Sequence, residues 1–244
     1  MIWIGIALLG LAAGWLVNYL ADVLPMTRRF SRPACSNCGH ERALMDYLLL
    51  RPCRSCGSPR SWRSYPVQAV LLIATLYMWV DPSKRLGFWL SFILLIFLAV
   101  VFVIDVEHRL ILHPVSLTGA VLGLGIGIYL HGLTTTLIGG AVGFGSMLVL
   151  YYLGEVFTRY MSKRRGEQID EVALGFGDVN LAGIIGLLLG FPLVIFGLLF
   201  AILVGGAFSL LLVLVMLFRR KYQAFTAIPY GPFLILSVLY ALYR

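Results

Sequence analysis

Residues 86–105, with the sequence LGFWLSFILLIFLAVVFVID, contain no formal charge before Asp105. About 20 apolar residues in an α-helix cross the hydrocarbon core of a bilayer, which is about 30 Å thick. This stretch therefore predicts a membrane-spanning helix that ends at an acidic residue. The whole chain of 244 residues has the same character, because 60% of its residues are hydrophobic, 12% are charged and its mean hydropathy is +0.93. About a quarter of residues are charged in a soluble domain, so the soluble class is excluded.

Apolar stretches of spanning length, or close to it, recur on both sides of this segment. We count eight, at 2–20, 66–80, 86–104, 114–130, 134–154, 179–191, 192–217 and 228–243. The second and sixth are short, and the boundary near Pro192 leaves a count of seven open. The first lacks the basic start and the cleavage site of a signal peptide, so we interpret it as a span. The predicted fold is an all-α polytopic membrane protein with about eight transmembrane helices.

The basic residues predict the orientation, because cytoplasmic loops retain Lys and Arg. Sixteen of the 19 lie in the segments after the first, third, fifth and seventh spans, and only Lys84, Arg85 and Arg244 lie on the other side. We therefore expect the N-terminus outside a cytoplasmic (inner) membrane, with those segments in the cytosol. The net charge of +8 then reflects topology in a lipid environment, and no nucleic-acid partner is expected.

A polar, Arg-rich block at 26–64 follows the first predicted helix (1–25) and precedes a membrane domain at 65–244. It holds all four cysteines of the chain, as two Cys-x-x-Cys pairs: Cys35, Cys38, Cys53 and Cys56. Two such pairs can place four thiolates around one tetrahedral zinc ion, and a site closed by four sulfurs is structural. Disulfides are the alternative, but they require an oxidising compartment. We predict a cytoplasmic zinc ribbon.

Among the eleven acids, Asp105 and Asp178 are the ones placed where an apolar span meets a predicted cytoplasmic segment with an unusual local sequence, which for Asp178 is Gly-Phe-Gly-Asp. Two carboxylates in a poorly solvated site cannot both ionise easily, so one can act as a base and the other as an acid in peptide hydrolysis. Gly175 and Gly177 would let backbone, including an extended substrate strand, pass close to Asp178. The alternative is that Asp105 is merely solvated at a helix end and that Asp178 is an N-cap.

Glycines inside the spans have a simpler explanation than a cofactor loop. Gly123, Gly125 and Gly127 lie in a hydrophobic stretch with no preceding strand, as do Gly139, Gly140, Gly143 and Gly145. We therefore expect them to allow close helix packing rather than to hold a nucleotide.

The ordered motifs resemble the bacterial type IV prepilin peptidases, which share Gly-x-Gly-Asp with other intramembrane aspartyl proteases. The matching segments are Gly14–Asn18, Leu24-Pro25, Arg29–Cys35 with both cysteine pairs, Tyr65-Pro66, Ile104-Asp105, Gly175–Asp178 and Ile228–Phe233. The resemblance implies that Asp105 and Asp178 are the catalytic pair of an endopeptidase acting at the cytoplasmic face. Its substrates would be prepilin or pseudopilin precursors with short basic leaders.

The resemblance also implies methylation of the new N-terminus with S-adenosylmethionine. The chain departs from the usual family pattern at several points: Asn180 replaces a Lys, Ala69 replaces an acid and Trp15 replaces the Ser after Gly14. The insert between the cysteine pairs is also compact. These differences bear on methyl transfer and leave the aspartate pair intact.

An acidic stretch formed by Glu167, Asp170 and Glu171 lies just upstream of Gly175. On a strongly positive cytoplasmic side, we expect it to attract a basic leader, whereas simple solvation is the competing interpretation. Two other functions remain open. An ion carrier would use Asp105 and Asp178 as ligands but predicts acids deep within spans. A noncatalytic assembly factor would use the ribbon for docking but leaves Gly-x-Gly-Asp unexplained.

Overall fold

The computed structural model describes residues 2–28, 30–35, 37–165, 175–219 and 229–243. Within these ranges the secondary structure is helical, apart from one isolated antiparallel bridge between Ala34 and Glu41. The helices are α1 (Ile2–Thr27), α2 (Leu44–Leu48), α3 (Ser64–Val80), α4 (Gly87–His108), α5 (His113–His131), α6 (Leu133–Arg165), α7 (Phe176–Leu189), α8 (Leu193–Phe218) and α9 (Gly231–Tyr243). The all-α prediction is confirmed.

Every helix except α2 coincides with one of the predicted apolar stretches. By length and composition, α1, α4, α5, α6 and α8 are long and apolar enough to cross a membrane, whereas α3, α7 and α9 are shorter apolar helices. The chain is therefore a multi-pass membrane protein. Helix α7 has 14 residues and is about 21 Å long at 1.5 Å per residue, which is less than the bilayer core.

Two helix boundaries differ from, or sharpen, the sequence prediction. Helix α7 ends at Leu189 and α8 begins at Leu193, with Gly190 between them at a φ of 67°. This break separates the sixth apolar stretch from the seventh as two helices. Helix α6 continues to Arg165, beyond the predicted end at 154, so Arg159 lies on a helix and pairs with Glu155 at 2.5 Å. Such pairs one turn apart support an exposed helix.

The chain divides into two compact units, residues 1–104 and 105–244; the predicted boundaries at 25/26 and 64/65 stay predictions. In the first unit, α1 packs against α3 through small and polar residues. A Cβ at Gly10 would lie 3.0 Å from the Cα of Leu72, so the backbones approach as at small-residue interfaces in membranes. The Asn18 side chain donates to the Ser64 carbonyl at 3.2 Å and Gln68 donates to the Leu11 carbonyl at 2.7 Å. These bonds satisfy the two amide nitrogens at the apolar interface, whereas Asn18 Oδ1 and Gln68 Oε1 are buried without a hydrogen-bond partner among the described residues.

In the second unit, α7 is the central helix, and it contacts α5, α6, α8 and α9. Glycines make those contacts close: a Cβ on Gly139 or Gly143 of α6 would collide with backbone atoms of Gly186 or Ala182 on α7. The predicted packing role is confirmed for the glycines of α5 and α6 that face α7, namely Gly123, Gly127, Gly139, Gly140 and Gly143. Gly125 and Gly145 instead face open space. The packing buries most of α7 from Asp178 onward, whereas Phe176 at the start of the helix is exposed.

Candidate active site and metal centre

Asp105 lies in the last turn of α4 and is 4% exposed. Its Oδ2 accepts a hydrogen bond of 3.1 Å from the backbone N–H of Gly231, the first residue of α9. The positive end of a helix dipole lies at its N-terminus, so this contact stabilises a negative charge on Asp105. Arg109, the residue after α4, has a φ of 52°, and its N–H donates to the backbone carbonyl of Asp105 at 2.8 Å. The backbone of Asp105 is thus held in the last turn of α4, and its carboxylate contacts the start of α9.

Gly231 is a site residue to which the sequence assigned no role. A Cβ at this position would lie 3.0 Å from Cγ of Asp105 and would overlap its Oδ2. Only glycine lets the backbone come this close. The signal in the sequence is the run Pro229-Tyr230-Gly231-Pro232 ahead of an apolar stretch. That run indicates a helix start, but nothing in it identifies Asp105 as the partner.

Asp178 lies in the first turn of α7 and is 9% exposed. Its backbone N–H donates to the carbonyl of Gly175 at 3.0 Å, and its Oδ2 accepts from the N–H of Gly175 at 3.2 Å. Gly175 is the N-cap, so Asp178 occupies the third helical position and not the N-cap considered from the sequence. The bond from Gly175 N–H to the Asp178 side chain is the one that the third helical residue contributes to a capping box. The second carboxylate is thus also held by a backbone N–H at a helix start.

Gly177 lies in close contact with the loop that follows α4. A Cβ at Gly177 would lie 2.8 Å from the Cβ of Ile111 and 3.4 Å from its backbone nitrogen. The expectation of close backbone approach is met there by the chain's own loop. The space that we had predicted for a substrate strand beside Gly177 is occupied by Ile111. This contact brings the segment after Asp105 against the residue before Asp178.

The structure brings Asp105 and Asp178 close enough for the charge of the first to act on the second. Both are buried, and in a poorly solvated site two like charges are strongly disfavoured, so the pair favours the state with one shared proton. Such a pair can take a proton from water and give one to a carbonyl oxygen. The predicted leader-binding acids Glu167, Asp170 and Glu171 lie outside the described residues.

The four cysteines form a compact cluster in the first unit. All four Sγ atoms lie within 4.8 Å of one another, and Cys35 to Cys56 and Cys38 to Cys53 are each 3.7 Å apart. A tetrahedral zinc ion with bonds of about 2.3 Å separates its sulfur ligands by about 3.8 Å, whereas a disulfide bond is about 2.05 Å long. The spacing of the four Sγ atoms therefore fits a metal ion coordinated by four sulfurs, and these residues could hold one.

Backbone N–H groups favour the thiolate form that a metal needs. Those of Asn37 and Cys38 hold the pKa of Cys35 at about 5, and those of Cys56 and Ser55 lower the pKa of Cys53. Gly39 and Gly57 close the two turns with positive φ values of 70° and 67°, and their N–H groups bond to the carbonyls of Cys35 and Cys53. Glycine at these two positions permits the positive φ that closes each turn.

Asp22, near the end of α1, anchors the cysteine-containing segment to the first helix. Its carboxylate accepts from Tyr47 Oη at 2.6 Å and from Arg60 at 2.7 Å, and it also pairs with Arg63. The guanidinium of Arg60 stacks 3.7 Å from the centre of the Tyr47 ring. Hydrogen bonds to charged groups are stronger than those between neutral groups, so Asp22 stabilises the attachment of this segment to α1. The sequence did not reveal these partners.

The described helices and the two buried aspartates belong to a polytopic membrane protein with two acids close together at helix ends. A model of the type IV leader peptidase family matches residues 92–210. This match covers somewhat less than half of the chain and includes the segment that carries Asp105 and Asp178.

Two curated relatives are similar over most of this chain. One, the prepilin leader peptidase/N-methyltransferase of Myxococcus xanthus, is 29% identical over 222 residues, which cover 84% of this chain and 62% of that protein. Another, of the same name and from Pectobacterium carotovorum subsp. carotovorum, is 26% identical over 220 residues, which cover 86% and 73%. The chain thus spans less than two thirds of the Myxococcus protein's length. No solved structure matches it significantly.

Proposed function

We propose that this chain is a membrane-embedded aspartic endopeptidase that removes the short basic leader of type IV prepilin-like precursors. One observation carries the proposal: Asp105 and Asp178 are buried, within reach of each other's charge, and each accepts a hydrogen bond from a backbone N–H at a helix start. The match to the type IV leader peptidase model supports the reaction class. The names of the curated relatives support the substrate class.

The arrangement suits hydrolysis by a pair that holds one proton. The ionised carboxylate removes a proton from water, whose oxygen attacks the scissile carbonyl carbon while the protonated carboxyl donates to the carbonyl oxygen. When the C–N bond breaks, a carboxyl proton passes to the departing nitrogen. Helix N-termini stabilise the anionic member of the pair. Because both acids are buried, simultaneous ionisation of the two is disfavoured.

Under this proposal, the position of the acid pair in the membrane matches the position of the precursor's cleavage site. The hydrophobic segment of a precursor would lie in the bilayer, its basic leader in the cytosol, and the acid pair at the cytoplasmic face of the inner membrane. The distribution of Lys and Arg supports an outside N-terminus. A membrane-impermeant maleimide should label Lys84→Cys in intact cells but label Met45→Cys only after permeabilisation, since both positions are exposed. The reverse pattern would contradict this orientation.

N-methylation of the cleaved product with S-adenosylmethionine is a second proposed activity. It rests on the N-methyltransferase names of the relatives. Within the described ranges, Gly123–Gly127 lies inside α5 and two of its glycines face α7, so it offers no cradle for a nucleotide-like ligand. We therefore assign no residue to the methyl donor.

The cysteine cluster is proposed to hold one structural zinc ion. Four sulfurs complete a tetrahedral coordination sphere and leave no position for a reactive water. Zinc would then stabilise the short segment between α1 and α3, which has little apolar core of its own.

The proposal is tested with purified protein and a prepilin-like precursor, with product masses measured in the presence and absence of S-adenosylmethionine. Asp105→Asn and Asp178→Asn should each reduce cleavage by several orders of magnitude, because each removes the base or the acid. Asp81→Asn is the matched control, since Asp81 is exposed. Cleavage by either active-site variant at the parental rate would refute the acid pair. A product heavier by one methyl group only with the donor present would support the second activity.

A further inference from the structure

Tyr230 lies directly before the glycine that contacts Asp105. Its backbone carbonyl accepts from Phe233 N at 3.1 Å and from Leu234 N at 3.4 Å, so Tyr230 is fixed at the start of α9. Its ring packs against α8, where a Cβ on Gly205 would lie 3.2 Å from Cε2 of Tyr230, and its centre is 6.1 Å from that of Phe233. The ring is therefore held in place by two helices.

The hydroxyl of Tyr230 is buried and, among the residues that the structure describes, has no hydrogen-bond partner. A buried O–H group without a partner is costly, and exceptions of this kind call for an explanation in a functional site. The explanation here lies in the neighbouring groups. Tyr230 directly precedes Gly231, whose N–H contacts Asp105, and the negative charge of Asp178 also acts on the phenol.

We propose that the Tyr230 hydroxyl is a further catalytic group, which donates a hydrogen bond to the carbonyl oxygen of the scissile peptide bond. The inference rests on the proposed function and adds a residue to it. As water attacks the carbonyl carbon, negative charge moves onto that oxygen, and a donor already in place stabilises it without reorganisation. Tyr230 transfers no proton in this step, because the acid pair supplies and receives the protons. The substrate thus provides the partner that the hydroxyl lacks.

Tyr230→Phe isolates the hydroxyl, because it keeps the ring that packs against Gly205 and Phe233. We expect kcat for precursor cleavage to fall about ten- to hundred-fold with KM within about twofold of the parent, as for the loss of one donor to a developing oxyanion. Tyr129→Phe is the control, since Tyr129 is 70% exposed in α5. Thermal unfolding in detergent should be unchanged in both variants.

The outcomes separate this inference from the proposed function. If Asp105→Asn abolishes cleavage while Tyr230→Phe retains a parental kcat, the acid pair stands and the role of Tyr230 is wrong. If Tyr230→Phe changes only KM, the hydroxyl binds the ground state and the inference is also wrong. If neither aspartate variant affects cleavage, the proposed function is wrong and the inference is overturned with it.

Discussion

The backbone N–H of Gly231 donates a 3.1 Å hydrogen bond to Oδ2 of Asp105, a residue 126 positions earlier in the chain. Asp105 lies at the C-terminal end of α4, where the dipole of its own helix opposes a negative charge. The N-terminus of α9 offsets this unfavourable position. This backbone contact therefore favours the ionised form of a carboxylate at an otherwise unfavourable helix end.

Gly231→Ala should impair catalysis more than folding. The added methyl group would overlap Asp105 Oδ2, and a displacement of about 1 Å in a reacting group costs about a hundred-fold in rate. We expect kcat to fall to that extent while the protein stays monodisperse in detergent. Gly206→Ala is the matched control, because nothing lies within 4 Å of its added Cβ. Equal activity of the two variants would contradict the proposed contact.

Metal analysis should find one zinc ion per chain, with Cys35, Cys38, Cys53 and Cys56 as ligands. The low pKa of Cys35, about 5, means that its thiolate is present at neutral pH and is lost as the pH falls through that value. Zinc should therefore be retained at pH 7 and released below pH 5, since ligand protonation competes with the metal. Cys35→Ser should lower the zinc content, whereas Ser58→Ala should not. Well under one equivalent in the parent, with four freely alkylated thiols, would disprove the zinc site.

Asp22→Asn should loosen the cysteine-containing segment from α1. The substitution removes the charge that Arg60, Arg63 and Tyr47 share, and hydrogen bonds to a charged group contribute about 1.5 to 3 kcal/mol. We expect a lower thermal midpoint and faster protease cleavage between residues 28 and 63. Asp81→Asn should show neither effect. An unchanged protease pattern in Asp22→Asn would show that the segment is held by other contacts.

Neutralising Glu167, Asp170 and Glu171 together tests their role in binding the leader. At about 0.2 to 1 kcal/mol for each exposed pair, the KM for a basic-leader precursor should rise about three- to hundred-fold. Turnover should change less, and the difference should shrink at high salt because exposed charges are screened. A precursor with a neutral leader is the control substrate. An unchanged KM at low salt would favour the interpretation that these acids only solvate the chain.

The sequence by itself determined the class of fold and the identity of the acid pair. Hydropathy sets the apolar helices because a bilayer requires long uncharged segments with internally satisfied backbones. The Cys-x-x-Cys spacing is equally local, since each pair occupies one turn, and the structure brings the two pairs together. Asp105 and Asp178 stood out because acids are rare beside apolar spans.

Only the tertiary structure decided which groups surround those residues. The partners of Asp105 and Asp22 are a backbone N–H at residue 231 and the side chains of Tyr47, Arg60 and Arg63, and no spacing rule connects such distant positions. The occupation of Gly177 by Ile111 and the buried hydroxyl of Tyr230 likewise depend on how α4, α7, α8 and α9 and the loops between them approach one another. Hydropathy and local motifs describe residues within one or two helical turns of each other. The contacts named above arise between distant segments, where helices pack closely through glycines. A sequence pattern does not show which backbone atoms such a glycine will contact.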